Sequence, residues 1–372
     1  MQKGVKMTIQ TVIYNKGSMI LCTDLRQTVE EFKSYVGVKK IFELKKSEPV
    51  GIMFNGLMDF EGVPIETLIG EFKEKFIEFE DIKTTKKEFL EFLKNHTPHT
   101  PIEEYLPEIL VPFKDRLLDL IKEDGFKNAI NSKTFKEVPE FLKKYHNFNE
   151  EFHDLIPEDL DKKTYNLKIW QIFSYELDFE GTEVILAGFD KRNHYGSLSV
   201  FNIYCNNNGQ IISKDIETIE NCQDPFIRVY AMNEEAYAFI TGISDDFEKY
   251  IINNVANTIK EIIQYMEWYL RDNNFENRKE IIEALKNEFD SRFIDLNNSI
   301  NNFKLDSIQY TSSCCEYLPR QLLCDFADSL IKLTALKQKL SLDLETVSSE
   351  SDIALITKSN KLKWIRYTEE IV

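Results

Sequence analysis

The chain has 372 residues, 42% of them hydrophobic and 12% aromatic, which is enough to build a large packed core and excludes a disordered polymer. Its net charge of -17 argues against a nucleic-acid or anionic-membrane partner, because phosphate contacts need clustered Lys and Arg. No apolar run approaches the roughly 18–20 residues of a membrane span, and no signal-peptide core comes after the start. The six cysteines, Cys22, Cys205, Cys222, Cys314, Cys315 and Cys324, have no framework spacing and read as reduced thiols of a cytoplasmic protein.

The first 60 or so residues read as strands. "MTIQTVIYN" and "SMILCTD" flank "NKGS", a Gly-containing hairpin turn, and "VKKIFEL" and "VGIMFNG" come next. The period then changes: in "IETLIGEFKEKFIEF", Leu68, Phe72, Phe76 and Phe79 fall on one helical face. Thr85 with Glu88 has the spacing of a capping box before "FLEFLK", and Pro98, Pro101, Pro107 and Pro112 punctuate the next stretch of chain. Strands are expected again at "TEVILAGFD", "SLSVFNIYC" and "EAYAFITG". Long amphipathic helices are expected over residues 246–305, where Phe247, Ile251, Val255, Ile259, Ile262 and Met266 keep helical spacing. A last helix, "LCDFADSLIKLTALKQKL", precedes a terminal hairpin of "DIALITK" and "KLKWIRY". This order is an α+β layout with two strand groups and helices around them.

The chemistry centres on Thr8. A threonine at a free N-terminus carries a hydroxyl nucleophile and an amine base on one framework. An α-amino group has a reference pKa of about 7.7–8.0, and a neighbouring ammonium lowers it because like charges disfavour each other. The required companion is an inward lysine held by a carboxylate. In "GVKKIFEL", Lys40 alternates onto one face with Phe42 and Leu44, so its ammonium points inward. An inward lysine is costly unless paired, and Asp24, at the end of the second strand, is the candidate partner.

The Thr8, Asp24, Lys40 spacing resembles that of proteasome β subunits and their bacterial relatives, members of the N-terminal-nucleophile (Ntn) hydrolases. "TDLR" resembles their Asp-Ser-Arg segment, and "MFNGLMD" the strand end and helix start whose backbone N–H forms their oxyanion hole, which points to Asn55 and Gly56. "EVILAGFD…GSLSVFNIYCNNNGQI" resembles their middle hairpin and "AFITGIS" the strand carrying their accessory serine, here Ser244. In "SLDLETVSSESDIALITKSNKLKWIR", Asp343 and Thr346 match an Asp-x-x-Ser pair that supports the nucleophile. The likeness spans roughly residues 8–80, 182–250 and 320–367. Met7 stands where the family has Gly, and Ser348 and Ser349 stand where it often has paired glycines.

The resemblance implies a four-layer αββα sandwich. Its core parts are 1–81, 176–249 and 316–372, with helical insertions at 82–175 and 250–315. It implies a threonine-type amidohydrolase, a peptidase acting on peptide or protein substrates, with no cofactor and no metal. A partner protein or a separate ATPase is a natural companion, as is a homo-oligomer, either a dimer or a ring. The alternative is a catalytically inactive assembly or sensing module that binds a protein partner. Translation from Met7 and removal of that methionine would expose Thr8, whereas a start at Met1 requires autocleavage at Met7–Thr8. His96 and His99 have no third ligand nearby and read as a loop. "CCEYLPRQLLC" lacks C-x-x-C spacing, and the chain has neither a G-x-x-x-x-G-K-[ST] nor a G-x-G-x-x-G motif.

Overall fold

The computed structural model describes residues 8–29, 33–99, 181–207, 209–341 and 345–368. In chain order, the first strands are β1 (Ile9–Tyr14), β2 (Met19–Asp24), β3 (Arg26–Val29), β4 (Lys33–Val36), β5 (Ile41–Glu43), β6 (Val50–Gly56), β7 (Asp59–Phe60) and β8 (Val63–Pro64). Helices α1 (Ile65–Lys75) and α2 (Ile82–His96) come next, then β9 (Thr182–Gly188), β10 (Gly196–Asn207), β11 (Gln210–Cys222) and β12 (Phe226–Ala231). The chain continues with α3 (Glu234–Thr241), α4 (Asp245–Asp272), α5 (Arg278–Glu316) and α6 (Arg320–Lys339), and ends with β13 (Ser351–Thr357) and β14 (Lys361–Arg366). The fold is mixed α+β with antiparallel sheets.

One five-stranded sheet has the order β12-β1-β2-β13-β14 and the other β11-β10-β9-β6-β5, every pairing antiparallel. β1 and β2 are buried at every position, with apolar residues over 12–14 and 19–22 and polar ones, Gln10, Thr11, Thr23 and Asp24, toward the end of the hairpin that holds Thr8. Their alternate residues feed two different cores. Val12, Tyr14, Met19 and Leu21 pack with Met53, Ile185, Leu198 and Val200 of the other sheet. Ile9, Ile13, Ile20 and Cys22 pack on Ala236 and Ile240 of α3 and on Leu323, Ala327 and Ile331 of α6. A third core joins Phe42, Ile52, Phe54, Val184 and Leu186 to Leu68 and Phe72 of α1 and Phe89 and Leu93 of α2.

Several elements differ from the sequence reading. "EAYAFITG" is the helix α3, not a strand: two glutamates open its first turn, and Gly242 closes it in the left-handed region at φ 75°. The strand of that region is β12, just upstream. α2 starts at Ile82 with Asp81 as its N-cap, whose carboxylate accepts from Thr84 N at 2.7 Å. Thr85 therefore lies inside the helix, and Thr85 and Glu88 form no capping box. α1 ends at Lys75, so Phe76 and Phe79 reach the core from the extended segment beyond it. The boundary read at 81/82 passes between α1 and α2, which share one core. Pro101, Pro107, Pro112 and the rest of residues 100–180 lie outside the described residues.

The ring of Phe89 sits 5.2 Å from that of Phe72 and 6.1 Å from that of Phe54, tying α2 to α1 and to β6. Phe89→Ala is expected to lower stability in urea by about 3–5 kcal/mol. A loss below about 1 kcal/mol would mean that α2 is dispensable to this core.

Candidate functional site

The site forms where β1 begins, β2 ends and the chain approaches β5. Thr8 is buried just ahead of β1, and its carbonyl accepts from Met232 N at 2.8 Å, at the exit of β12. Lys40 is 2% exposed just ahead of β5, and Asp24, at the end of β2, is fully buried. Thr8 Oγ1 donates to Asp24 Oδ1 and accepts from Lys40 Nζ. Lys40 Nζ also donates to Asp24 Oδ1 at 2.9 Å and to the Arg26 carbonyl. An ammonium has three donors, and all three have acceptors here. Burial pushes the Lys40 pKa down from its ordinary value, and the Asp24 carboxylate opposes that shift.

Asp24 is the hub. Besides Thr8 and Lys40, its Oδ1 accepts from Ile9 N at 3.2 Å, and its Oδ2 accepts from Arg26 N at 3.0 Å and Ser348 N at 3.1 Å. The carboxylate thus fixes the start of β1, the turn after β2 and the loop before β13 together. Ser348 serves here through its backbone N–H, which any residue but proline could supply.

Gln10, two residues past Thr8, bridges to the end of β6. Its Nε2 donates to the Phe54 carbonyl at 2.7 Å, and its Oε1 accepts from Asn55 Nδ2 at 3.3 Å. Asn55 also donates to Glu183 Oε1. Gly56 closes β6 at φ 84°, a left-handed conformation that a side chain would strain, and a Cβ there would collide with the Gly181 carbonyl.

Of the residues singled out in the sequence, Thr8, Asp24 and Lys40 are therefore in direct contact, and Gln10 connects Asn55 to the same strand, with Gly56 next in the chain. Thr346 lies in the loop that supplies Ser348 N; it is buried and bonded to Gln338 of α6 and to Met232. Ser244 does other work: its hydroxyl caps α4, accepting from Phe247 N at 3.2 Å. Asp343 and Met7 lie outside the described residues. His96 stacks on Phe92, with ring centroids 4.3 Å apart, and its Nδ1 lies against the Phe92 carbonyl. Gln338, Met232, Gln10 and the Arg26 carbonyl have no place in the sequence reading, and each contributes to the site through partners distant in the chain.

Comparison with models of known protein families and with curated proteins gives no match for this chain. Its function is therefore read from the site alone.

Removing either charge of a buried pair strands the other, typically at about 3–5 kcal/mol, but the two removals are not equivalent here. Lys40→Met leaves Asp24 with three backbone N–H donors and the Thr8 hydroxyl. Asp24→Ala leaves an ammonium without its counterion and three N–H groups without an acceptor. Urea unfolding should therefore find Asp24→Ala the more damaging, and the opposite order would contradict Asp24 as the hub.

Proposed function

We propose that this chain is a threonine-type Ntn amidohydrolase, a peptidase related to proteasome β subunits, built on a four-layer αββα sandwich. The three cores support the layering: one lies between the two sheets and one on the outer face of each, under helices. The observation that carries the activity is the contact of Thr8 Oγ1 with both Lys40 Nζ and Asp24 Oδ1 at a buried position. A threonine that merely opened a strand would have no need of a buried ammonium on its hydroxyl.

In this reading Thr8 becomes the first residue, through initiation at Met7 and methionine removal or through cleavage of the Met7–Thr8 bond. The Thr8 hydroxyl attacks the substrate carbonyl, and its proton passes through a water to the Thr8 amine. Backbone N–H at Asn55 and Gly56 receives the oxyanion. The amine returns the proton to the leaving nitrogen, and water then hydrolyses the acyl-threonine ester. Lys40 lowers the pKa of the new amine so that it is free near neutral pH, and Asp24 keeps Lys40 charged.

Intact mass of the purified protein, measured beside hydrolysis of fluorogenic peptides, tests this. The expected result is a chain lacking residues 1–7 whose activity disappears in Thr8→Ala. The rate should rise with pH and level off below the reference amine value of about 7.7–8.0, since the unprotonated amine is the base. Retention of residues 1–7 on every molecule would remove the base and overturn the reading. A verified Thr8 terminus with no turnover would favour an inactive assembly module.

The long α4–α5 hairpin supports self-association. Ile251, Val255, Ile259 and Met266 of α4 are half-buried along the hairpin, whereas Tyr250 (63% exposed), Tyr265 (61%) and Trp268 (49%) line an uncovered face with Phe247. These aromatics lie at the two ends of the face, with Asn254, Asn257, Thr258 and Glu261 exposed between them, so two copies would meet through paired aromatic ends flanking a polar middle. Light scattering at micromolar concentration should find a homo-oligomer, and a 43.8 kDa species at every dilution would contradict it.

A further inference from the structure

We propose that Gln338 of α6 is a positioning residue of this site, a single carboxamide that fixes both the main chain at Thr8 and the carboxylate of Asp24. The inference rests on the reading of Thr8 as nucleophile given above.

Gln338 is 9% exposed in the last turn of α6, and a polar group so buried must find partners. Its Oε1 accepts from Thr346 N and Val347 N, both at 2.9 Å, so both lone pairs are used. Its Nε2 donates to Thr346 Oγ1 at 2.8 Å and meets Met232 Sδ at 2.9 Å. Two N–H groups converge on one end of the amide, which fixes its orientation and leaves the NH2 to the hydroxyl and the thioether.

Two arms run from this amide to the site. In the first, Thr346 and Val347 lead directly into Ser348, whose N–H holds Asp24 Oδ2 at 3.1 Å. In the second, Met232, pinned by Gln338 and by Thr346 Oγ1 at 3.1 Å, donates its own N–H to the Thr8 carbonyl at 2.8 Å. Gln338 touches no reacting atom. It sets the separation of nucleophile and carboxylate from behind, where both the loop before β13 and the exit of β12 lean on it. Met could fill the volume and hold neither arm. Glu could still accept from Thr346 N and Val347 N but would lose the donor that holds Met232.

The test compares Gln338→Met and Gln338→Glu with the wild type, each first checked for folding by circular dichroism. Reaction with a peptide epoxyketone, followed by intact mass, separates the affinity KI from the inactivation rate kinact. Gln338→Met is expected to lower kinact by on the order of 10- to 100-fold, because small misplacements of reacting groups are that expensive. KI should stay within about two-fold, since the substrate-facing surface is untouched. Gln338→Glu should recover part of the rate by holding the loop arm. A folded Gln338→Met with unchanged kinact would overturn the proposal. Amide hydrogen exchange gives a readout free of chemistry: protection at Ser348 and Met232 should fall in Gln338→Met, and only at Met232 in Gln338→Glu. If wild-type protein is not labelled at all, the nucleophile reading fails and exchange alone decides the role of Gln338. Unchanged protection at both amides then refutes it.

Discussion

A lysine ammonium buried to 2% exposure is the constraint around which this molecule is arranged. Left alone in such a place it would lose its proton or unfold its surroundings. Keeping it charged takes a carboxylate and a full set of acceptors, and these come from Asp24, the Arg26 carbonyl and the Thr8 hydroxyl. The demand passes outward, because a buried carboxylate must itself be satisfied. Asp24 draws N–H groups from Ile9, Arg26 and Ser348. The start of one strand, the end of another and a loop from the far end of the chain therefore meet at one point.

The two sheets make that meeting feasible. Their shared core is apolar along most of its length, from Val12 and Leu21 against Met53 and Ile185. On β1 it gives way to Gln10 and then Thr8, which lie on the same alternation as Val12 and Tyr14. Gln10 reaches the Phe54 carbonyl and Asn55 across the gap between the sheets. The polar residues thus sit at one end of a rigid apolar seam, and packing sets their positions more firmly than a mobile loop would. α6 closes the opposite side: it buries Leu323, Ala327 and Ile331 on the sheet and delivers Gln338 to the loop that holds Asp24.

Much of this was legible in the sequence, and the limits have physical causes. The β1–β2 hairpin and the pairing of Lys40 with Asp24 come from local pattern: an apolar run, a Gly turn, and a charge sharing a face with Phe42 and Leu44. "EAYAFITG" misled because Tyr, Phe, Ile and Thr favour strands, while the acidic first turn and the C-terminal glycine that make it a helix are weaker signals. Ser244 is an unremarkable helix cap once α4 is seen to start at Asp245. Gln338 was beyond reach: its amide joins Thr346 nearby and Met232 more than a hundred residues away, and no sequence period encodes such a meeting.

If Thr8 is both nucleophile and base, a crystal structure of the protein after reaction with a peptide epoxyketone will show it. The expected result is continuous density from the inhibitor to both Oγ and N of Thr8, with Lys40 Nζ remaining in contact with that oxygen. An unmodified Thr8 with residues 1–7 still attached, or an inhibitor bonded to a cysteine instead, would contradict that double role.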